Sequence, residues 1–241
     1  MIDLHSHVLW GVDDGPKELE CSIKMLDLAK ADGIDVLFTT SHYSKDMPGL
    51  LRPRVDELES YARERGIRLV PGAEIDYVFL ADTRPLITLG DTNFVLVDMR
   101  QPYLEFSAEN VLSRLAIDGY RVIIAHPERL FMESNLKIVL ELLDMGCLFQ
   151  LNAGSIAGFH GGRAKYLAFK IIASGLAHYV GSDAHSPRRT FFMTAAREAV
   201  TRRFGPRAAE LLFEENARQL LAGEAPFKVI PPKKKWYMFW R

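Results

Sequence analysis

Cysteine is scarce in this chain of 241 residues: it holds only Cys21 and Cys147. Two thiols build no disulfide framework, which points to a reducing cytoplasm and a fold that rests on packing. Neither thiol can open a phosphate-cradling nucleophile loop, which needs an arginine six residues on. Asp27 and Ala153 stand there instead. No apolar run is long enough to cross a bilayer. The chain starts on a strand-like segment rather than a basic and then apolar leader, so a cytoplasmic protein without a secretory signal is expected. Charge of neither sign dominates, with a formal net charge of -1, and nothing in the bulk balance points to nucleic acid. A Ser/Gly/Pro-rich linker, a Gly-rich phosphate loop and a dinucleotide fingerprint after a strand are all missing.

With 48% hydrophobic residues, the chain can bury one large core. One domain over 1–225 is expected, followed by a basic and aromatic tail over 226–241. Short apolar runs alternate with helical patterns of about a dozen residues. Strands are expected at the first seven residues, Asp35 to Thr39, Ile67 to Val70, Phe94 to Val97, Arg121 to Ala125, Cys147 to Leu151 and His178 to Gly181. Helices are expected over Glu18 to Ala31, Arg54 to Arg65, Ala108 to Asp118, Asn135 to Met145, Arg163 to Ala173, Thr190 to Phe204 and Pro206 to Ala222. Ile75 to Gly90 reads as a loop with a short helix. Seven strands separated by helices specify parallel βαβ units, and the count suits an incomplete, seven-stranded relative of the (β/α)8 barrel.

Where the polar residues fall is the informative point. His5 and His7, His42, Glu74, Asp98, His126, Asn152, and Asp183 with His185 stand at or just beyond the C-terminal ends of these strands. In a parallel barrel those ends share the face on which active sites are built. Any one of these residues could cap a turn or pair with a surface charge. Five of the seven histidines gather there, however, leaving only His160 and His178 elsewhere. Five imidazoles and four carboxylates (Asp14, Glu74, Asp98, Asp183) exceed what one ion needs, so two or three divalent metals are expected. The imidazole share favours Mn, Fe or Zn. Arg129, and Arg188 or Arg189, fall on the same rim, where a guanidinium suits a doubly charged phosphate.

Four stretches carry a resemblance: Ile2-Asp3-Leu4-His5-Ser6-His7 with Val12-Asp13-Asp14-Gly15-Pro16; Thr40-Ser41-His42; Ala125-His126-Pro127-Glu128-Arg129; and Asn152-Ala153-Gly154-Ser155 with Ser182-Asp183-Ala184-His185. In combination the chain resembles the polymerase and histidinol phosphatase (PHP) superfamily. More narrowly, it resembles the bacterial manganese-dependent protein-tyrosine phosphatases of the CpsB/YwqE type. The resemblance implies a distorted (β/α)7 TIM-like barrel with a trinuclear metal centre. It puts His5, His7 and Asp183 on one metal, with Glu74 bridging to a second held by Asp98 and His126. Asp14, His42 and His185 would hold a third, with Arg129 and Arg189 on the phosphate. Asp98 stands where this type usually has glutamate, Tyr43 where a second histidine often follows, and Ser41 in place of a common proline.

The implied reaction is hydrolysis of phosphotyrosine by a metal-activated hydroxide, on a membrane-associated bacterial tyrosine kinase of capsule or exopolysaccharide synthesis. The rivals are a PHP phosphoesterase for histidinol phosphate or a nucleic-acid phosphodiester, and a non-catalytic PHP scaffold. The tail Lys233 to Arg241 reads either as an anionic-surface contact or as aromatics packed across the barrel.

Overall fold

Each expected strand is a short apolar run stopped by a polar group, a proline or a glycine, and each forms. The computed structural model describes residues 1–81, 85–99, 106–130 and 136–229. The tail Lys233 to Arg241 lies outside them. The strands are β1 (Ile2–Ser6), β2 (Val36–Thr39), β3 (Arg68–Pro71), β4 (Glu74–Asp76), β5 (Phe94–Asp98), β6 (Arg121–Ala125), β7 (Leu148–Asn152) and β8 (Tyr179–Gly181). All pairings are parallel, in one ladder β1-β2-β3 and another β4-β5-β6-β7-β8.

The two ladders meet at both ends through single bridges, Ser6 to Ala184 and His42 to Glu74. At the first seam the His7 amide donates to the Ala184 carbonyl (2.8 Å) and the Asp183 amide to the His5 carbonyl (2.7 Å). At the second the Tyr43 amide donates to the Glu74 carbonyl (2.8 Å). The result is a distorted seven-position barrel in which β3 and β4 are halves of one broken strand. Pro71 ends the first half because it has no amide to give the ladder. At Gly72 a Cβ would stand 2.8 Å from Leu89 Cδ2, so the glycine lets the neighbouring loop close in.

One apolar cluster, including Leu4, Phe38, Val70, Phe94, Ile123 and Tyr179, comes almost wholly from strands and fills the space they enclose. Two others join the outer strand faces to helices: Leu37 and Val180 pack with Leu26 and Phe169, and Val97 and Ile124 with Leu115 and Leu142. Each such side chain contributes about 1.5–3 kcal/mol of burial. Among the described residues no helix is long and apolar enough to cross a membrane.

Several boundaries differ from the sequence expectation. The second helix starts at Met47, well before Arg54, and runs to Glu64 through Pro53; Pro48 suits its first turn, and the packing of Met47, Val55 and Leu58 outweighs the hydrogen bond lost at Pro53. The stretch Ile75 to Gly90 opens with the rest of β4 and a 3₁₀ turn, Tyr77–Phe79. Two unexpected short helices, Pro127–Leu130 and Ala153–Ala157, follow β6 and β7. Pro127 sets the first turn of one, and the Asn152 side chain caps the other by accepting from the Gly154 amide (2.7 Å). The eighth-strand helix begins at Met193 rather than Thr190, where Asp32 accepts from the Met193 and Thr194 amides.

Candidate metal centre

All nine residues expected to ligate metal converge on the C-terminal rim. They form three overlapping groups with ligand atoms within 4.8 Å of one another: His7, Asp14, His42 and His185; His5, His7, Glu74 and Asp183; Glu74, Asp98 and His126. Glu74 is the hub. Its Oε2 stands 3.3 Å from His5 Nε2, 3.3 Å from His7 Nε2 and 3.0 Å from His42 Nδ1, and its Oε1 is 2.9 Å from His126 Nε2. Asp183 Oδ1 lies 3.5–3.6 Å from His5 Nε2, His7 Nε2 and His185 Nδ1. His126 and Asp183 both adopt left-handed backbone, φ 35° and 55°. Such strain in bulky residues is held only where the surroundings enforce it.

Whether these atoms suit a metal is tested by the ring tautomers. His5 Nδ1 meets Gln150 Oε1 at 3.0 Å, and that amide is oriented by donating its Nε2 to the Leu151 carbonyl (2.7 Å). His7 Nδ1 donates to Asp13 Oδ2 (2.7 Å), and His185 Nδ1 to the Asp183 carbonyl (2.8 Å). In each ring the outer nitrogen is held by an oxygen, which leaves Nε2 as the nitrogen turned into the cluster, the orientation metal-binding histidines have. His5 and His7 bring their Nε2 atoms within 3.0 Å of each other. Glu74 Oε2, though ringed by imidazoles, accepts no well-aligned hydrogen bond. An orphaned buried carboxylate oxygen among inward imidazole nitrogens is a donor set for a divalent cation, and imidazole with carboxylate fits Mn, Fe or Zn.

The electrostatics agree. Burial alone would raise Glu74, but His5, His126 and His42 hold it well below the usual carboxylate range. Burial likewise opposes ionisation of Asp183, yet His5, His126 and His7 keep it below its ordinary value. Burial would lower His7, while Asp13 and Glu74 lift it to about 10; Glu74 similarly lifts His126, against burial, to about 9. The carboxylates thus draw positive charge onto the inward nitrogens, which is the demand a cation meets.

Two guanidinium groups stand at the lip. Arg129 Nη1 donates to Asp183 Oδ2 (2.6 Å), Arg189 Nη2 donates to the same oxygen, and Asn152 Nδ2 does so at 3.0 Å. Arg188 is exposed. Both bound arginines stay about one-third exposed, leaving N–H donors for an incoming anion.

Three residues escaped sequence reasoning. Asp13 and Gln150 orient His7 and His5, and Asp13 also accepts from the His42 amide (2.8 Å) and the Gly15 amide (2.9 Å). A double aspartate before Gly-Pro was the available signal for Asp13; Gln150 had none beyond its place next to a strand end. His160, set apart as remote, lies beside the site. Its Nε2 and Asn152 Oδ1 both fall 3.0 Å from where a Gly154 Cβ would be, and burial, then Arg129, lowers its pKa. His178 is at the opposite end, ahead of β8. Cys147 is buried, and burial pushes its thiol up to about 12, so it is a small hydrophobe.

Residues 1–222 match the family model described as capsular polysaccharide synthesis, CpsB/CapC. The chain is 31% identical over 252 residues to the tyrosine-protein phosphatase YwqE of Bacillus subtilis (strain 168), covering 99% of each. It superposes with a TM-score of 0.87 and 30% identity on a solved structure from work on YwqE of Bacillus subtilis and CpsB of Streptococcus pneumoniae, described as unique metal-dependent tyrosine phosphatases; 97% of this chain and 100% of that one are covered. The histidinol phosphate phosphatase of Lactococcus lactis shares the fold, with a TM-score of 0.53 at 14% identity over 96% of this chain and 98% of that one.

Proposed function

The chain belongs to the CpsB/CapC family of capsular polysaccharide synthesis, and from that premise we propose that it is a metal-dependent protein-tyrosine phosphatase. The observation that carries the reading is the junction at Asp183, where one carboxylate faces the metal-ligand cluster with Oδ1 and aims two arginines with Oδ2. Positive charge for a phosphate is thereby arranged from two sides.

We assign His5, His7, Asp183 and Glu74 to one manganese ion, Glu74, Asp98 and His126 to a second, and Asp14, His42 and His185 to a third. Divalent ions in those sets supply Lewis acidity and bring the ionisation of water near neutral pH. Everything else falls to the chain. Arg129 and Arg189 hold the non-bridging phosphate oxygens by charge-assisted hydrogen bonds. Asn152 and Asp183 keep them aimed. No strong acid need meet the leaving oxygen, because a tyrosine phenol ionises near pH 10 and departs readily as phenolate. Cys147, buried and protonated, takes no part. The substrate we assign is a phosphotyrosine protein, a membrane-associated bacterial tyrosine kinase of capsule synthesis, met in the cytoplasm.

The test is turnover of a phosphotyrosine peptide and of histidinol phosphate by protein of measured metal content, with manganese added or chelated. Manganese-dependent cleavage of the peptide alone is expected. Undiminished cleavage after chelation, or cleavage of histidinol phosphate instead, overturns the reading.

A further inference from the structure

The segment after β7 and the segment after Arg189 bring three rings together beside the arginine pair. Phe159 and Phe192 stand 4.7 Å apart, centroid to centroid, with their planes 30° from parallel. His160 meets Phe159 edge-on at 5.3 Å and 76°. Resting on the tyrosine-phosphatase reading, we propose that the ring of the substrate's phosphotyrosine docks against the exposed Phe159 ring, which Phe192 backs from the core, with His160 walling the side toward the phosphate.

Position supports this. His160 flanks Gly154 across from Asn152 Oδ1; Asn152 bonds Asp183 Oδ2, and that oxygen holds Arg129 and Arg189. Phe192 follows Arg189 by three residues. A phosphate on the guanidinium groups therefore has an aromatic cluster on the same rim, linked to it through His160, Gly154 and Asn152.

Exposure and strain point the same way. Phe159 is 54% exposed. Phe227 is exposed as well, but it bonds Asn216 near His178, at the far end of the barrel. Phe192 sits at φ 56°, a conformation that costs an L residue with a bulky side chain roughly 1–2 kcal/mol. It makes no side-chain cap for the helix it precedes, since Asp32 does that. The left-handed turn instead separates two consecutive phenylalanines: Phe191 goes fully into the core, and Phe192 goes against Phe159. An offset or edge-on aromatic contact adds selectivity for an aryl over an alkyl phosphate.

The test is calorimetric titration of the manganese-loaded chain with phenylphosphonate and with methylphosphonate, for wild type, Phe159→Ala and Phe159→Trp. The wild type should bind the phenyl compound about 3- to 10-fold more tightly. Phe159→Ala should lose that preference and Phe159→Trp keep it. Equal affinities in the wild type, no binding of either compound, or a preference that survives Phe159→Ala overturns the proposal. Peptide turnover, assayed alongside, shows separately whether the phosphatase reading stands.

Discussion

Glu74 and Asp183 at the bottom of the cleft, and Asp14 and His42 at its lip, belong to the same ligand groups but stand in opposite settings: side chains 0% and 2% exposed below, 62% and 30% above. The buried carboxylates have exchanged water for imidazoles and guanidinium groups, and a charge so placed is tolerable only with its partners present. The lip residues keep access to water and lose little when a partner leaves. Loss at the floor should therefore be general, and loss at the lip partial and confined to one function.

Glu74→Gln strikes the hub shared by two of the three groups and should break the comparison most severely. Metal content should fall, and peptide turnover should drop by at least about 100-fold, more than the loss of a residue that merely orients a ligand. Elemental analysis with steady-state kinetics checks both. Gly181→Ala attacks the floor through packing. Its Cβ would stand 2.5 Å from His5 Cβ and 2.9 Å from the His5 amide nitrogen, so β1 must shift, at about 1–3 kcal/mol, visible as a lower thermal midpoint together with weaker metal binding.

At the lip, Arg129→Ala should raise KM for an aryl phosphate by roughly 30-fold, the worth of about 2 kcal/mol in charge-assisted hydrogen bonds, while metal content stays intact. Unchanged kinetics would remove the phosphate-holding role. Away from both, burial and then the charge of Lys228 depress His178 to about 4. Between that value and the ordinary 6.5 the unfolded chain binds more protons than the folded one. This share of stability is complete above about pH 6.5 and drains as pH falls toward 4, by about 3 kcal/mol. Denaturant melts across that window should show the slope, reduced in His178→Gln. Smallest is Asp14→Asn, for which about a 10-fold weaker hold on one ion is expected, read by metal titration with the other ions retained.

The rim was legible because parallel βαβ units put every strand's C-terminal end on one face, so a histidine or carboxylate after an apolar run declares its location. That logic reached His5, His42, Glu74, His126 and Asp183 alike, and the arginine nearer the following helix, Arg189, is the one that meets Asp183. It could not reach Gln150 or His160, whose roles arise from neighbours far away in sequence. Nor did it see that the third strand breaks at Gly72, since a local pattern of apolar residues carries no record of how closely Leu89 approaches from outside the strand.

The two seams have a mechanical consequence. The barrel is a hoop riveted along most of its circumference by continuous ladders but clasped at two points by single bridges, and the clasps lie among His5, His7, Asp183, His42 and Glu74. Below the first clasp Asp3 Oδ1 fastens the amides of both His5 and Ser182. Ions drawn to those side chains would pull on the clasps, so the girth of the hoop and the loading of its centre are one variable.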